Sequence, residues 1–109
     1  MIKVKFFKAE NLVKGFEVSG HSGSAEKGED VICAFVSSAC LMTANTITEV
    51  IGLPADAEVS DGYLRFIIKS SADSAQDILN GLNLHLSELS KDYPDNIIIM
   101  WLFRRCNYA

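Results

Sequence analysis

DVICAFVSSACLMTANTITEVIG, residues 30–52, reads as one helix that is apolar on both sides. Ile32, Val36, Ala39, Thr43, Ile47 and Val50 recur at helical spacing and form one stripe. Val31, Phe35, Leu41 and Met42 make the other side apolar as well. Such a helix has to be covered on both sides, and in a chain of 109 residues a second subunit is a candidate for the outer cover. Asp30 is the expected N-cap, because its carboxylate can accept from backbone N–H groups two or three residues on. Gly52 and Pro54 end the helix.

The flanking sequence surrounds this helix with strands. Ile2, Val4 and Phe6 alternate with Lys3 and Lys5, the period of a half-buried strand. A turn at Ala9-Glu10-Asn11 leads into a second strand over Leu12 to Ser19. After the helix, Ala57 to Ser60 and Tyr63 to Ile68 form a hairpin joined at Asp61-Gly62. A second helix is expected from about Ala72 to Tyr93, capped by Ser71 or Ser74. Its inward stripe is Ala75, Ile78, Leu82, Leu86 and Leu89, and Asp73, Gln76, Asp77, Asn83 and Glu88 face water. His85, between Leu84 and Leu86, reads as structural. Pro94 stops this helix, and the near-continuous apolar run from Asn96 to Phe103 suits the sheet centre. The order β-β-α-β-β-α-β predicts an α+β two-layer sandwich, with a mixed sheet of about five strands and two helices on one face. No repeat or linker divides it, so residues 1–109 form a single domain.

Composition bounds the function. A hydrophobic share of 49% with 22% charged residues is that of an ordinary globular domain. The formal net charge of −4 disfavours nucleic acid as a direct partner and suits a basic peptide or protein. MIKVKFFKAE alternates lysine with apolar residues and has no signal-peptide core. No unbroken apolar run approaches the roughly 20 residues of a membrane span, so a cytoplasmic location without a membrane partner is expected. Cys33, Cys40 and Cys106 are odd in number and contain no close pair. Cys33 and Cys40 lie about 10 Å apart along a helix, which excludes a disulfide, and a zinc site would prefer CxxC spacing. No metal or other cofactor is implied.

Chemistry concentrates in GHSGSAEKGEDVICAFVSS, residues 20–38. Gly20 to Glu29 carries Gly20, Gly23 and Gly28 without periodicity and reads as a long loop of the kind that is functional or disordered. If Asp30 caps the helix, Cys33 is its third residue, where free backbone N–H groups and the helix dipole favour a thiolate. Ser37 lies one turn deeper on the same face. His21 sits at the end of a strand and is a candidate base for the thiol. Backbone N–H groups of the helix start or of Gly20 to Gly23 are candidate oxyanion donors. Two plainer readings stand beside this one. A helix-start cysteine is often simply packed, as Cys40 and Cys106 are read here. A glycine-bearing loop before a helix is also how backbone amides hold an anion, although Glu26, Glu29 and Asp30 oppose that and no P-loop pattern is present.

The segment GHSGSAEKGEDVICAFVSSACLMTANTI resembles the signature of the ribosomal-processing cysteine protease (Prp) family, with Gly20, His21, Gly23, Gly28, Asp30, Cys33 and Ser37 in matching positions. The resemblance extends to the strand start, the Asp-Gly hairpin, the acidic second helix and the last apolar strand. It implies a cysteine endopeptidase with Cys33 as nucleophile and His21 as general base. It also implicates Asp30, either as orienter of His21 or as cap. The implied substrate is the precursor of a large-subunit ribosomal protein, whose N-terminal extension is removed, and the implied assembly is a homodimer. Ser22 and Phe35 depart from the smaller apolar residues expected at those positions, and Cys40 is not a usual feature. The competing reading is a non-catalytic, ribosome-associated binding module that uses the Gly20–Asp30 loop.

Overall fold

The computed structural model describes residues 1–20 and 27–104, with the backbone alone for 27–30 and 104. Five strands form one sheet: β1 Ile2–Ala9, β2 Leu12–Ser19, β3 Ala55–Ser60, β4 Tyr63–Ile68 and β5 Ile97–Arg104, in the order β3-β4-β2-β1-β5. Only the β1–β5 pair is parallel. Helix α1 spans Lys27–Asn45 and continues as a π-helical turn over Thr46–Ile51; α2 spans Gln76–Asp92 after a 3₁₀ turn at Asp73–Ala75. The α+β sandwich predicted from the chain is therefore present.

Strand alternation assigns the two faces. Ile2, Val4, Phe6, Phe16, Phe66 and Ile68 point toward the helices and share a core with Ile32, Val36, Cys40 and Ile47 of the first helical segment and Leu79, Leu82 and Leu86 of α2. Phe16 stacks on Phe66 at 5.5 Å and Phe6 stacks on Trp101 at 5.1 Å, carrying aromatic contact across four neighbouring strands. On the other face Glu17 lies 3.6 Å from Lys5 and 3.9 Å from Arg65, and it accepts a 2.8 Å hydrogen bond from Tyr63. Gly15 is required where β2 meets β4, because a Cβ there would come within 2.0 Å of the Phe66 carbonyl oxygen. Glu10 and Asn11 both have positive φ, the signature of the type I′ turn that matches hairpin twist.

Several expectations change. The last apolar strand is an edge strand: Ile97, Ile99 and Trp101 pack on the core, while Ile98, Leu102 and Phe103 are exposed. A continuous apolar run marks a strand but does not say whether protein covers its second face. β3 begins at Ala55, two residues earlier than expected. Val50 leaves the buried stripe and is 78% exposed, because the i→i+5 bonding of the π-helical turn shifts the residues that follow. Leu79 joins the buried stripe of α2, and His85 is exposed. The second helix opens with a 3₁₀ turn, whose Asp73 N–H lies 3.4 Å from the Ser71 hydroxyl oxygen. The segment Val31–Ile51, although interrupted by polar residues, is long and apolar enough to cross a membrane; here one side of it forms the wall of the core.

Gln76 does not face water. Its side-chain oxygen accepts from the Val13 N–H at 2.8 Å, and its amide nitrogen donates to the Val13 carbonyl at 2.9 Å and to the Ala72 carbonyl at 2.8 Å. β4 pairs with β2 only from Gly15 onward, so Gln76 supplies the strand-like partner that Val13 lacks on that side. Gln76→Ala is expected to cost about 1–3 kcal/mol, the usual penalty for stranding partly buried backbone groups. Urea denaturation measures it; a loss below about 0.5 kcal/mol would show that water replaces the side chain.

Candidate active site

The helix that carries Cys33 starts earlier than its cap signal suggests. Lys27 is its first residue, which puts Asp30 inside the first turn and makes Cys33 the seventh residue. Acidic residues are favoured throughout a first turn as well as at the cap, so Glu29 and Asp30 fit either start. Asp30 is thus not the N-cap, and Gly28 is helical and outside the loop. The free N–H groups of the helix start belong to residues 27–30, between about 4.5 and 9 Å along the axis from Cys33. Of the remaining loop positions singled out, His21, Ser22 and Gly23 lie outside the described residues.

Gly20 marks where the chain leaves β2. Its φ is +81°, and a Cβ would sit 2.6 Å from the Met1 carbonyl oxygen. Its N–H donates to the Gly62 carbonyl at 3.2 Å, which ties the end of β2 to the β3–β4 turn. Glycine is needed here for both reasons, and the tie sets the point from which residue 21 departs.

A cavity of about 340 Å³ opens between α1 and this end of the sheet. Cys33, Ser37 and Leu41 line it from the helix, Val18 and Leu64 from the sheet floor, and Val59 and Ser60 from edge strand β3. Cys33 is half-buried and Ser37 stands one turn behind it on the same wall. Among the described residues no lysine, arginine, aspartate or glutamate contributes to the lining, so this part of the cavity suits an uncharged apolar group. Tyr63 lies at its end, tethered by its bond to Glu17 on the far side of the sheet. The structure therefore brings Cys33 and Ser37 together. It adds Val59, Ser60, Tyr63 and Leu64, which the sequence signals only through their nearness to the Asp61-Gly62 turn. Among the described residues no cluster of three histidine, cysteine or acidic side chains could hold a metal ion.

The two described cysteines differ sharply. Cys40 also touches the cavity, but it is fully buried, and desolvation pushes its thiol up to about 12. Brief iodoacetamide treatment of the folded Cys106→Ser variant at pH 8 is expected to label Cys33 and spare Cys40. Peptide mapping checks this, and equal labelling would contradict the burial. Hydrogen bonding to Glu17, followed by desolvation, raises the Tyr63 hydroxyl in the same direction. Both groups hold their protons more tightly in the folded than in the unfolded chain. Their contribution to stability is therefore full below pH about 9 and is lost as pH rises toward 12. Denaturant titrations between pH 8 and 11 should show the decline; a flat profile would refute it.

Fold and cavity define a small α+β protein that presents a thiol to an apolar groove. The family model described as cysteine protease Prp matches residues 1–98, and the chain belongs to that family. It is a cysteine protease. The ribosomal processing cysteine protease Prp of Bacillus subtilis is 28% identical over 92 residues, 78% of this chain and 82% of the relative. That of Staphylococcus aureus (strain Mu50) is 29% identical over 91 residues, 81% and 86% of the two chains. The crystal structure of S. aureus Prp with a covalently linked product peptide superposes with a TM-score of 0.81 at 25% identity, covering 94% of this chain and all of that one. The S. aureus structure with a substrate peptide gives a TM-score of 0.85 at 24% identity over the same shares, a likeness of fold.

Proposed function

We propose that this protease removes the N-terminal extension of a large-subunit ribosomal protein precursor in the cytoplasm, with Cys33 as nucleophile and His21 as general base. The observation that carries the reading is the placement of Cys33 on the wall of an apolar cavity beside an edge strand. It is supported by the ribosomal-processing names of the relatives and by the covalent peptide in the S. aureus structure. The base takes the thiol proton, the sulfur attacks the scissile carbonyl, and the imidazolium protonates the departing amine. Water then cleaves the thioester, releasing the acid and restoring the thiol. Because Cys33 lies in the second turn of α1, activation of the sulfur falls to the base more than to the helix start. Ser37, one turn away, is a neighbour for the sulfur or the bound carbonyl.

The active form is proposed to be a homodimer. Val31, Phe35, Leu41 and Met42 are exposed on α1, and a second copy would cover them. Incubating the protein with the precursor and weighing the products tests the function directly: a single cut at the extension junction supports it. Tight binding of the precursor without cleavage at any enzyme concentration would favour a non-catalytic binding module.

A further inference from the structure

The two edges of the sheet differ in chemistry. β5 exposes apolar side chains, whereas β3, ADAEVS, exposes Asp56, Glu58 and Val59. Among the described residues no strand pairs with the outer edge of β3, and its Val59 and Ser60 border the same cavity as Cys33. Val59 faces the helix side, in register with Leu64, yet is 71% exposed. Glu58 faces the opposite side, opposite Arg65, which lies 3.9 Å from Glu17. Asp56 has Lys69 at 3.6 Å, while Glu58 has no ion pair within 4.0 Å among the described residues.

We propose that the protein takes its peptide as a sixth strand on the outer edge of β3, with an apolar side chain in the cavity beside Val59 and an adjacent lysine or arginine against Glu58. This rests on the protease reading and specifies how that site selects its substrate. Successive residues of an added strand point to opposite faces, so the residue opposite Val59 enters the cavity and its neighbour opposite Glu58 cannot. The lining, uncharged among the described residues, sets the first preference. The acidic edge sets the second: it repels a second copy of β3, which would oppose acid to acid, and accepts a basic strand. The cavity lies at the lower end of the roughly 300–1,000 Å³ of small-ligand sites, suited to a single side chain.

The test uses the full-length Cys33→Ala variant, which binds without cutting, and fluorescein-labelled decapeptides of glycine and serine around a central Leu-Lys or Leu-Glu pair. By fluorescence anisotropy the Leu-Lys peptide is expected to bind at least tenfold tighter, and additional Glu58→Lys should reverse the order. Methylating peptide amides one at a time should weaken binding at alternate positions only, since alternate amides of a strand face its neighbour. Equal or absent binding of the two peptides, no reversal by Glu58→Lys, or methylation without alternation would overturn the proposal. Precursor cleavage by the unmodified protein is scored separately. Selective binding without cleavage would sink the protease function alone, and cleavage without selectivity would sink the strand docking alone.

Discussion

Cys33→Ala is expected to slow precursor cleavage by at least ~10⁴-fold while moving the melting temperature by no more than a few degrees. The substitution removes the atom proposed to form the acyl intermediate, and what would remain is the catalysis that substrate binding and hydrogen-bond donors provide without a nucleophile. Because Cys33 is half-buried on the cavity wall and not in the closed core, losing its sulfur leaves little void. His21→Ala should cost nearly as much. The double variant should be hardly slower than either single one, because a nucleophile and its base act as a unit. Single-turnover kinetics with mass detection measure all three. A Cys33→Ala rate within tenfold of the parent would remove Cys33 from the chemistry, and additive losses would separate His21 from it.

The largest effect on stability is expected at the centre of the sheet. Phe16 is fully buried on β2, stacked on Phe66 and 6.4 Å from Phe6. β2 is held by neighbours on both sides, so the backbone cannot close in on a void left there. Phe16→Ala should cost about 3–5 kcal/mol. That is a large part of the roughly 5–15 kcal/mol that holds a domain together, and corresponds to a fall in melting temperature on the order of 15–25 °C. The exposed Phe103 provides the contrast: Phe103→Ala should cost well under about 1 kcal/mol. Calorimetry on the pair decides whether the core has the centre described here. Similar losses at the two positions would place Phe103 in an interface.

The elements that a sequence reveals are those whose signal is local. Alternation in β1, the Asp61-Gly62 turn and the 3.6-residue period of both helices each follow from neighbouring residues, and each is present in the structure. The family signature at Cys33 and Ser37 belongs with them, since four residues on a helix put both on one wall of the cavity. What stayed hidden depends on distant partners. Gln76 looks like a solvated residue until Val13, 63 positions away, is seen to lack a neighbour. An apolar β5 looks central until its parallel pairing with β1 places it at the edge. Val59 and Leu64 become cavity residues only when the hairpin folds against α1. The start of α1 is hidden for another reason: Glu29 and Asp30 suit a first turn as well as a cap, so residue type alone leaves the helix start ambiguous by four residues.

The pairing of β1 with β5 also orders events during synthesis. Ile2 lies beside Ile97, so the first strand made waits for the last before one of its two sides is closed. The hairpins β1–β2 and β3–β4 can zip as they emerge, since each closes through a two-residue turn. Until residues 97–104 are free, Phe6 lacks the Trp101 ring that stacks on it, and β1 offers an open backbone to any passing strand. A nascent chain stalled before β5 would therefore be a target for chaperones and a seed for aggregation. Only release of the final strand would complete the sheet on which the Cys33 helix rests.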